Sequence, residues 1–330
     1  EFVSSISLVP AVWSYDGILL RVGELGVVGT RQEYRRRGLI RAQTVEFERK
    51  LQEGGYDLGV IRGIPYFYRQ FGYEYAIPLG GECRLSLDQI PNLGEGEEET
   101  ATIRPMEEGE IAQAVAWHNA ATERLCLRAV YDEVSWRYPE TLSEGNPMRL
   151  RNYIVEREGQ AVGYLRLGNP SEEEKDMLPC SEMSDLGYSD ILAALRFLKQ
   201  QATERGCKQI ALHLHSSAPA RVVARYLGGH ERKPYAWQIR IPNRVRFLRR
   251  IAPALERRLA GSMLAGLTQV VPLNFYEDTP SRSPSARVGW KTSPPSAKRT
   301  SGAFACPLIW RFACCSVTKA RKRSGPFALI

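Results

Sequence analysis

The sequence predicts an α/β (α+β) protein of two successive sheet-and-helix units, and three observations carry that prediction. Residues 18–54 read as a long strand, a basic turn and an amphipathic helix. A polar Gly/Glu-rich stretch, 91–102, then interrupts the pattern as a linker does. From Ile103 onward the strand and helix order recurs. At 330 residues there is room for two domains of ordinary size, and 43% apolar with 25% charged residues is the composition of a soluble globular protein.

Taken in order, residues 2–9 alternate as a strand, 10–17 are expected to turn, and 18–30 return as a longer strand with Gly23 and Gly26 as bulges or points of close backbone approach. The strand feeds Arg35-Arg36-Arg37-Gly38-Leu39-Ile40-Arg41. Gly38 has no Cβ to obstruct a tight turn, so the amides of residues 36–41 can converge at a helix N-terminus, where unpaired N–H groups and the helix dipole favour a phosphate. The arginines add fixed positive charge there. Leu39, Ala42, Val45, Phe47 and Leu51 suit a helix laid on a sheet and ended by Gly54-Gly55. A short buried strand follows at 58–61, then a short helix opened by Pro65 and closed by Gly72, then a strand over 73–79.

Beyond the linker the pattern predicts a helix over 107–120, strands 151–157 and 161–167 about Glu158-Gly159, a helix over 189–205, a strand over 208–215 and a helix over 219–227. Residues 243–276 read as a basic amphipathic helix and the start of a strand.

Charge excludes a nucleic-acid footprint on the folded body. Residues 277–330 hold ten Lys/Arg against two acids, which accounts for the whole formal charge of +8, so the first 276 residues are neutral. That basic tail is rich in Ser and Pro and lacks periodicity, and it is expected to be disordered. Seven cysteines without regular spacing argue against a disulfide framework and suit a cytoplasmic location. Cys83, Cys126, Cys180 and Cys207 are expected as small buried residues, and His213 and His215 as one strand's polar face. The four histidines form no metal-ligand set, no stretch is apolar enough to span a membrane, and no signal peptide is expected. The chain opens with Glu1, as a fragment or a processed product does.

Arg35-x-x-Gly38-x-Ile40, followed by Tyr66-Phe67-Tyr68-Arg69-Gln70-Phe71-Gly72-Tyr73, resembles the two motifs of the GNAT N-acetyltransferases. Ile40 stands where that family has a small residue. More narrowly, the pair of motifs is similar to the enhanced-intracellular-survival (Eis-like) type, which has tandem GNAT domains and a sterol-carrier-like C-terminal domain. The resemblance implies mixed central sheets and these parts: an N-terminal GNAT domain over 1–90, incomplete because the first strand and two helices would precede Phe2; the linker 91–102; a second, degenerate GNAT domain over 103–242; the entry of the sterol-carrier-like domain over 243–276; and the tail 277–330. In the second domain Ser184-Asp185-Leu186-Gly187-Tyr188-Ser189-Asp190 stands where the arginine turn belongs, and its acids are expected to repel pyrophosphate.

The resemblance further implies acetyl-CoA as co-substrate, no metal, and transfer to a primary amine, a small polyamine or a lysine side chain, in a ternary complex. Backbone groups of Val28, Gly29 and Thr30 would hold the pantetheine arm as an added strand does. Arg35, Arg36, Arg37, Gly38, Leu39, Ile40 and Arg41 would take the pyrophosphate, with Gly63 and Ile64 closing the other side. Tyr68 stands where the family's general acid stands, and a phenol keeps its proton at neutral pH. Its neighbours Tyr66, Phe67, Phe71 and Tyr73 are expected to be packed aromatics. Glu24 is either a base acting through water or the cap of a bulge. The C-terminal carboxylate that serves survival-type members is not carried over, since this chain ends Ala328-Leu329-Ile330. The rival reading is a non-catalytic acyl-CoA or protein-binding protein; homo-oligomerisation is left open.

Overall fold

The computed structural model describes residues 2–79, 81–146, 148–233, 235–266, 268–274 and 285–291. Its first hairpin joins β1 (Ser4–Tyr15) to β2 (Ile18–Thr30) through Asp16-Gly17. Both residues of that turn have positive φ, 49° and 81°, the geometry Asp-Gly adopts in tight hairpins. The turn expected over 10–17 therefore shrinks to its end, and Pro10 lies within the ladder opposite Gly23. Helix α1 (Leu39–Glu53) buries Thr44, Phe47 and Leu51, while Val45 is 65% exposed. Thr44 takes the place expected of an apolar neighbour because its hydroxyl donates to the Ile40 carbonyl at 2.7 Å, leaving no polar group unpaired.

The chain continues through β3 (Leu58–Ile61), β4 (Glu74–Pro78), β5 (Glu82–Ser86), β6 (Thr102–Pro105), α2 (Ile111–Thr122), β7 (Leu127–Val130) and α3 (Glu133–Arg137). The hairpin of β8 (Arg151–Arg157) and β9 (Gln160–Leu167) turns at Glu158-Gly159, as expected. Next come β10 (Met177–Met183), α4 (Tyr188–Glu204), β11 (Gln209–Leu212), α5 (Pro219–Tyr226), β12 (His230–Arg232) and β13 (Ala236–Arg240). Helix α6 (Arg244–Ala260) and the pair β14 (Thr268–Asn274) and β15 (Ser285–Lys291) complete the order. Strand β10 is absent from the sequence reading; its Pro179 lies opposite Ala211 in the parallel ladder with β11, and the ladder with β9 begins at Cys180, past the proline.

The described residues divide into two compact units, those within 1–77, 125–129 and 237–330 in the first and those within 78–124 and 130–236 in the second. The first sheet has the order β4-β13-β3-β2-β1-β7, the second β12-β5-β11-β10-β9-β8-β6. Strand β5, which the sequence reading places in the N-terminal domain, thus joins the second sheet, where Cys83 and Leu85 are buried with Leu178 and Leu212. Strand β13, read as part of the second domain, joins the first sheet, with Gln238, Ile239 and Arg240 opposite Ile61, Val60 and Gly59. Alternation marks these segments as strands but does not say which sheet receives them.

In the first unit, Ile251 and Ala254 of α6 are buried among Trp13, Tyr15, Leu20, Val22, Leu58, Val60 and Ile239. The helix read as the entry of a sterol-carrier-like domain is thus part of the first unit's core. Ile251 is fully buried, and Ile251→Ala is expected to cost about 2–5 kcal/mol of stability, read as a lowered urea midpoint. An unchanged midpoint would return α6 to the surface. In the second unit, Ala194, Leu195 and Leu198 of α4 close over Leu165, Leu167, Leu178, Ile210 and Leu212. Of the tail 277–330 only 285–291 is described, as β15 antiparallel to β14; the expectation of disorder for the rest lies outside the described residues. Among the described residues no helix is long and apolar enough to cross a membrane.

Candidate active site

Strands β2 and β3 run parallel only over Val22–Glu24 and Leu58–Val60, yet β2 continues to Thr30. Past this short ladder the two strands part. A bulge sharpens the divergence: the β1 register slips between Ser5 and Ser7, and Val27, at φ 47°, absorbs the extra residue. Gly23, expected as a bulge or a close approach, is the latter, since a Cβ there would lie 2.4 Å from Leu51 Cδ2. Val28, Gly29 and Thr30 follow the bulge and line a cleft of about 730 Å³ in the first unit.

The arginine turn supplies one end of this cleft. Gly38 caps α1 at φ 77° with no side chain bonded to the cap, so the amides of Leu39, Ile40 and Arg41 have no intrahelical acceptor. The first helical bond is Ala42 N–H to the Gly38 carbonyl. Arg35, Arg36, Gly38, Leu39, Ile40 and Arg41 all line the cleft. Arg37 is absent from the lining: its guanidinium lies 4.9 Å from the Tyr34 ring centroid and donates to the Glu33 carbonyl at 3.0 Å.

The opposite wall is Ile64, Phe67, Tyr68, Gln70 and Phe71. Tyr68 sits in a 3-10 turn, Phe67–Phe71, between two left-handed residues, Tyr66 at φ 64° and Gly72 at φ 78°. Its ring is 4% exposed, and burial pushes the phenol above its ordinary pKa, which keeps the proton on oxygen. Gly63 does not line the cleft but seats this ring, because a Cβ there would come within 2.2 Å of Tyr68 Cε2. Tyr73 is packed as expected, but Tyr66 is 70% exposed: its strained backbone turns it outward, edge-on to Tyr75. The two walls are tied by Arg41, which donates to Gln70 Oε1 at 3.1 Å.

Glu24 is not in the lining. Its carboxylate lies 3.3 Å from Arg62, whose guanidinium is 5.1 Å from the Trp237 ring centroid. Sequence reasoning missed Gln238 altogether. This fully buried residue of β13 donates to the carbonyls of Gly63 and Ile64 at 3.2 and 3.4 Å, from 175 residues away along the chain.

In the second unit the counterpart of the arginine turn is the α4 N-terminus, capped by Gly187. Asp190 there is 3% exposed and pairs with Arg157 at 3.2 Å, while Asp185 pairs with Arg124 at 2.7 Å. A carboxylate of the chain itself thus occupies the positive end of this helix. His213 and His215 lie just past β11 rather than on it, with burial lowering both pKa values. Among the described residues no group of three or more His, Cys, Asp or Glu could hold a metal ion.

Residues 1–76 match the family model described as an acetyltransferase (GNAT) domain. Several solved structures share the fold. A probable N-acyltransferase from Enterococcus faecalis is 18% identical, with 75% of this chain and 61% of that chain covered at a TM-score of 0.55. A GCN5-related N-acetyltransferase from Anabaena variabilis is 14% identical over 87% of this chain and 70% of that one, at 0.59. Eis1 from Mycobacterium abscessus is 14% identical over 91% and 73%, at 0.51. The chain therefore spans less than two thirds of the Enterococcus protein. A search of curated proteins gives no match. By sequence, residues 1–76 thus match a GNAT acetyltransferase domain, and the chain shares the fold of GNAT-type structures.

Proposed function

We propose that the chain transfers the acetyl group of acetyl-CoA to a primary amine, a small polyamine or a lysine side chain, by direct transfer in a ternary complex. The observation that carries this reading is the meeting, across one cleft, of an uncapped helix N-terminus flanked by arginines and a buried phenol that keeps its proton. The amides of Leu39, Ile40 and Arg41, with Arg35, Arg36 and Arg41, hold the pyrophosphate; Val28, Gly29 and Thr30 hold the pantetheine arm, and Ile64 closes over it. The neutral amine attacks the thioester carbon, a C–N bond forms as the C–S bond breaks, and Tyr68 gives its proton to the departing sulfur. The ammonium proton leaves to water, with Glu24 as the candidate relay. Glu24 is ion-paired with Arg62 and does not line the cleft, which favours the bulge-capping role over the base.

A second reading, a non-catalytic acyl-CoA binder, draws on the same phosphate turn, and Tyr68 separates the two. A thiol-release assay with acetyl-CoA and a panel of polyamines tests the proposal; no release above the uncatalysed rate with any amine would leave the binder ahead. The second unit repeats the parallel pair with its crossover helix, β10, α4 and β11, which favours a tandem, Eis-like arrangement. We assign it no acyl-CoA, because Asp190 already occupies its helix end. The neutral body favours no nucleic-acid partner, and the buried thiols of Cys83, Cys180 and Cys207 suit the cytoplasm.

Titration calorimetry with acetyl-CoA is accordingly expected to give one site per chain, lost in Gly38→Asp. Aspartate tolerates the left-handed cap and caps helices well, and no atom lies within 4 Å of a Cβ at this position, so the variant folds. Its carboxylate then competes for the amides the pyrophosphate needs. The neutral Gly38→Asn is expected to weaken binding far less. Two sites, or a site that survives Gly38→Asp, would contradict the assignment.

A further inference from the structure

Strand β13 does more than widen the first sheet. Gln238 and Arg240 are two residues apart, so they project on the same face of β13. Both end on backbone carbonyls of the segment that carries Tyr68. Gln238 sits opposite Ile61, the last residue of β3, and reaches past the strand end to the Gly63 and Ile64 carbonyls. Arg240 donates to the Phe71 carbonyl at the far end of the 3-10 turn and also pairs with Glu48 of α1. Gly72 lets it approach, since a Cβ there would lie 2.4 Å from Arg240 Nη1. Between these two anchors the segment has left-handed residues at 66 and 72, and Gly63 lies flat against the Tyr68 ring. A segment with two positive-φ residues has no regular ladder to fix it, so its position rests on side chains that hold its carbonyls.

We infer that Gln238 and Arg240 are positioning residues for acetyl transfer, holding both ends of the 63–72 segment so that the Tyr68 hydroxyl is presented to the departing sulfur. The inference rests on the proposed function for the identity of the reaction, but the clamp itself is tested without turnover. Neither residue lines the cleft, so each would act through the segment it holds.

The test uses the full chain with Gln238→Leu, which keeps the side chain's bulk and removes its N–H donors, and with Gln238→Glu. In Gln238→Leu, hydrogen exchange at the amides of residues 63–72 is expected to quicken while α1 and β2 keep their protection. At the same time kcat is expected to fall about 10- to 100-fold, the cost of a small misplacement, with little change in KM for acetyl-CoA. In Gln238→Glu the ionised carboxylate cannot donate, but its protonated form can, so activity relative to wild type is expected to rise as pH falls. Unchanged exchange over 63–72 in Gln238→Leu overturns the inference, whether or not the chain turns over. Unchanged kcat in Gln238→Leu alongside a slow Tyr68→Phe also overturns it and leaves the acetyltransferase reading intact. An inactive wild-type chain removes that reading instead, while the exchange result still decides whether β13 clamps the segment. Should Gln238→Glu fail to fold, Gln238→Leu carries both measurements.

Discussion

Tyr68→Phe is expected to slow acetyl transfer by about 10²- to 10⁴-fold, the range that general acid catalysis supplies, while leaving acetyl-CoA affinity and stability almost unchanged. The ring is what packs: it is 4% exposed, lies against Gly63 and meets Phe67 edge-on at 5.0 Å. Phenylalanine keeps all of that. The hydroxyl makes no hydrogen bond to the described residues, so its loss strands no buried partner. Because burial raises the phenol's pKa, the wild-type proton stays in place across the neutral range, and a loss of rate in the variant is not a titration effect. Tyr66→Phe, on a ring that is 70% exposed, is the matched control and is expected to do little. Single-turnover kinetics with calorimetry on both variants checks this. A Tyr68→Phe chain that acetylates at the wild-type rate returns Tyr68 to the aromatic core and favours the acyl-CoA binder.

Residues 1–90 expressed alone are expected not to fold, although the linker at 91–102 looks like a natural place to cut. The fragment lacks β7, β13 and α6. Without them Trp13, Tyr15, Leu20 and Val22 lose Ile239, Ile251 and Ala254 from their core, and β3 loses the neighbour that pairs with Gly59, Val60 and Ile61. It also carries β5, whose buried partners belong to the second sheet. With so little apolar burial left against its chain entropy, the fragment should show no cooperative thermal transition by circular dichroism. A sharp transition in the fragment would show that the first sheet closes without its distant strands.

What was legible in the sequence was local. The order strand, arginine turn, helix is written in consecutive residues, and Gly38 marked both the left-handed cap and the helix end that the structure shows. The Glu158-Gly159 turn and α4 were legible for the same reason. What stayed hidden was mostly non-local. Nothing near Gln238 distinguishes it from any other strand residue, because its role is defined by Gly63 and Ile64, 175 and 174 residues earlier. The Val27 bulge was hidden differently: glycines 23 and 26 drew attention, while a β-branched residue took the positive φ. Arg37 shows the limit of a motif, since three consecutive arginines cannot all face one cleft and Tyr34 stacks against the third.

The interleaving of the strands also sets a schedule for synthesis. Gln238 leaves the ribosome 175 residues after Gly63, which at roughly 5–20 residues per second is a delay on the order of ten seconds or more. Throughout that interval β3, fully apolar apart from Gly59, has no partner on one side, and it is a ready template for another nascent chain. Strand β5 of the second sheet waits as well, because its neighbours β11 and β12 are made more than 120 residues after it. Yield of native protein should therefore depend on how fast and how crowded translation is, improving at low temperature and with holdase chaperones, even if the finished molecule is stable.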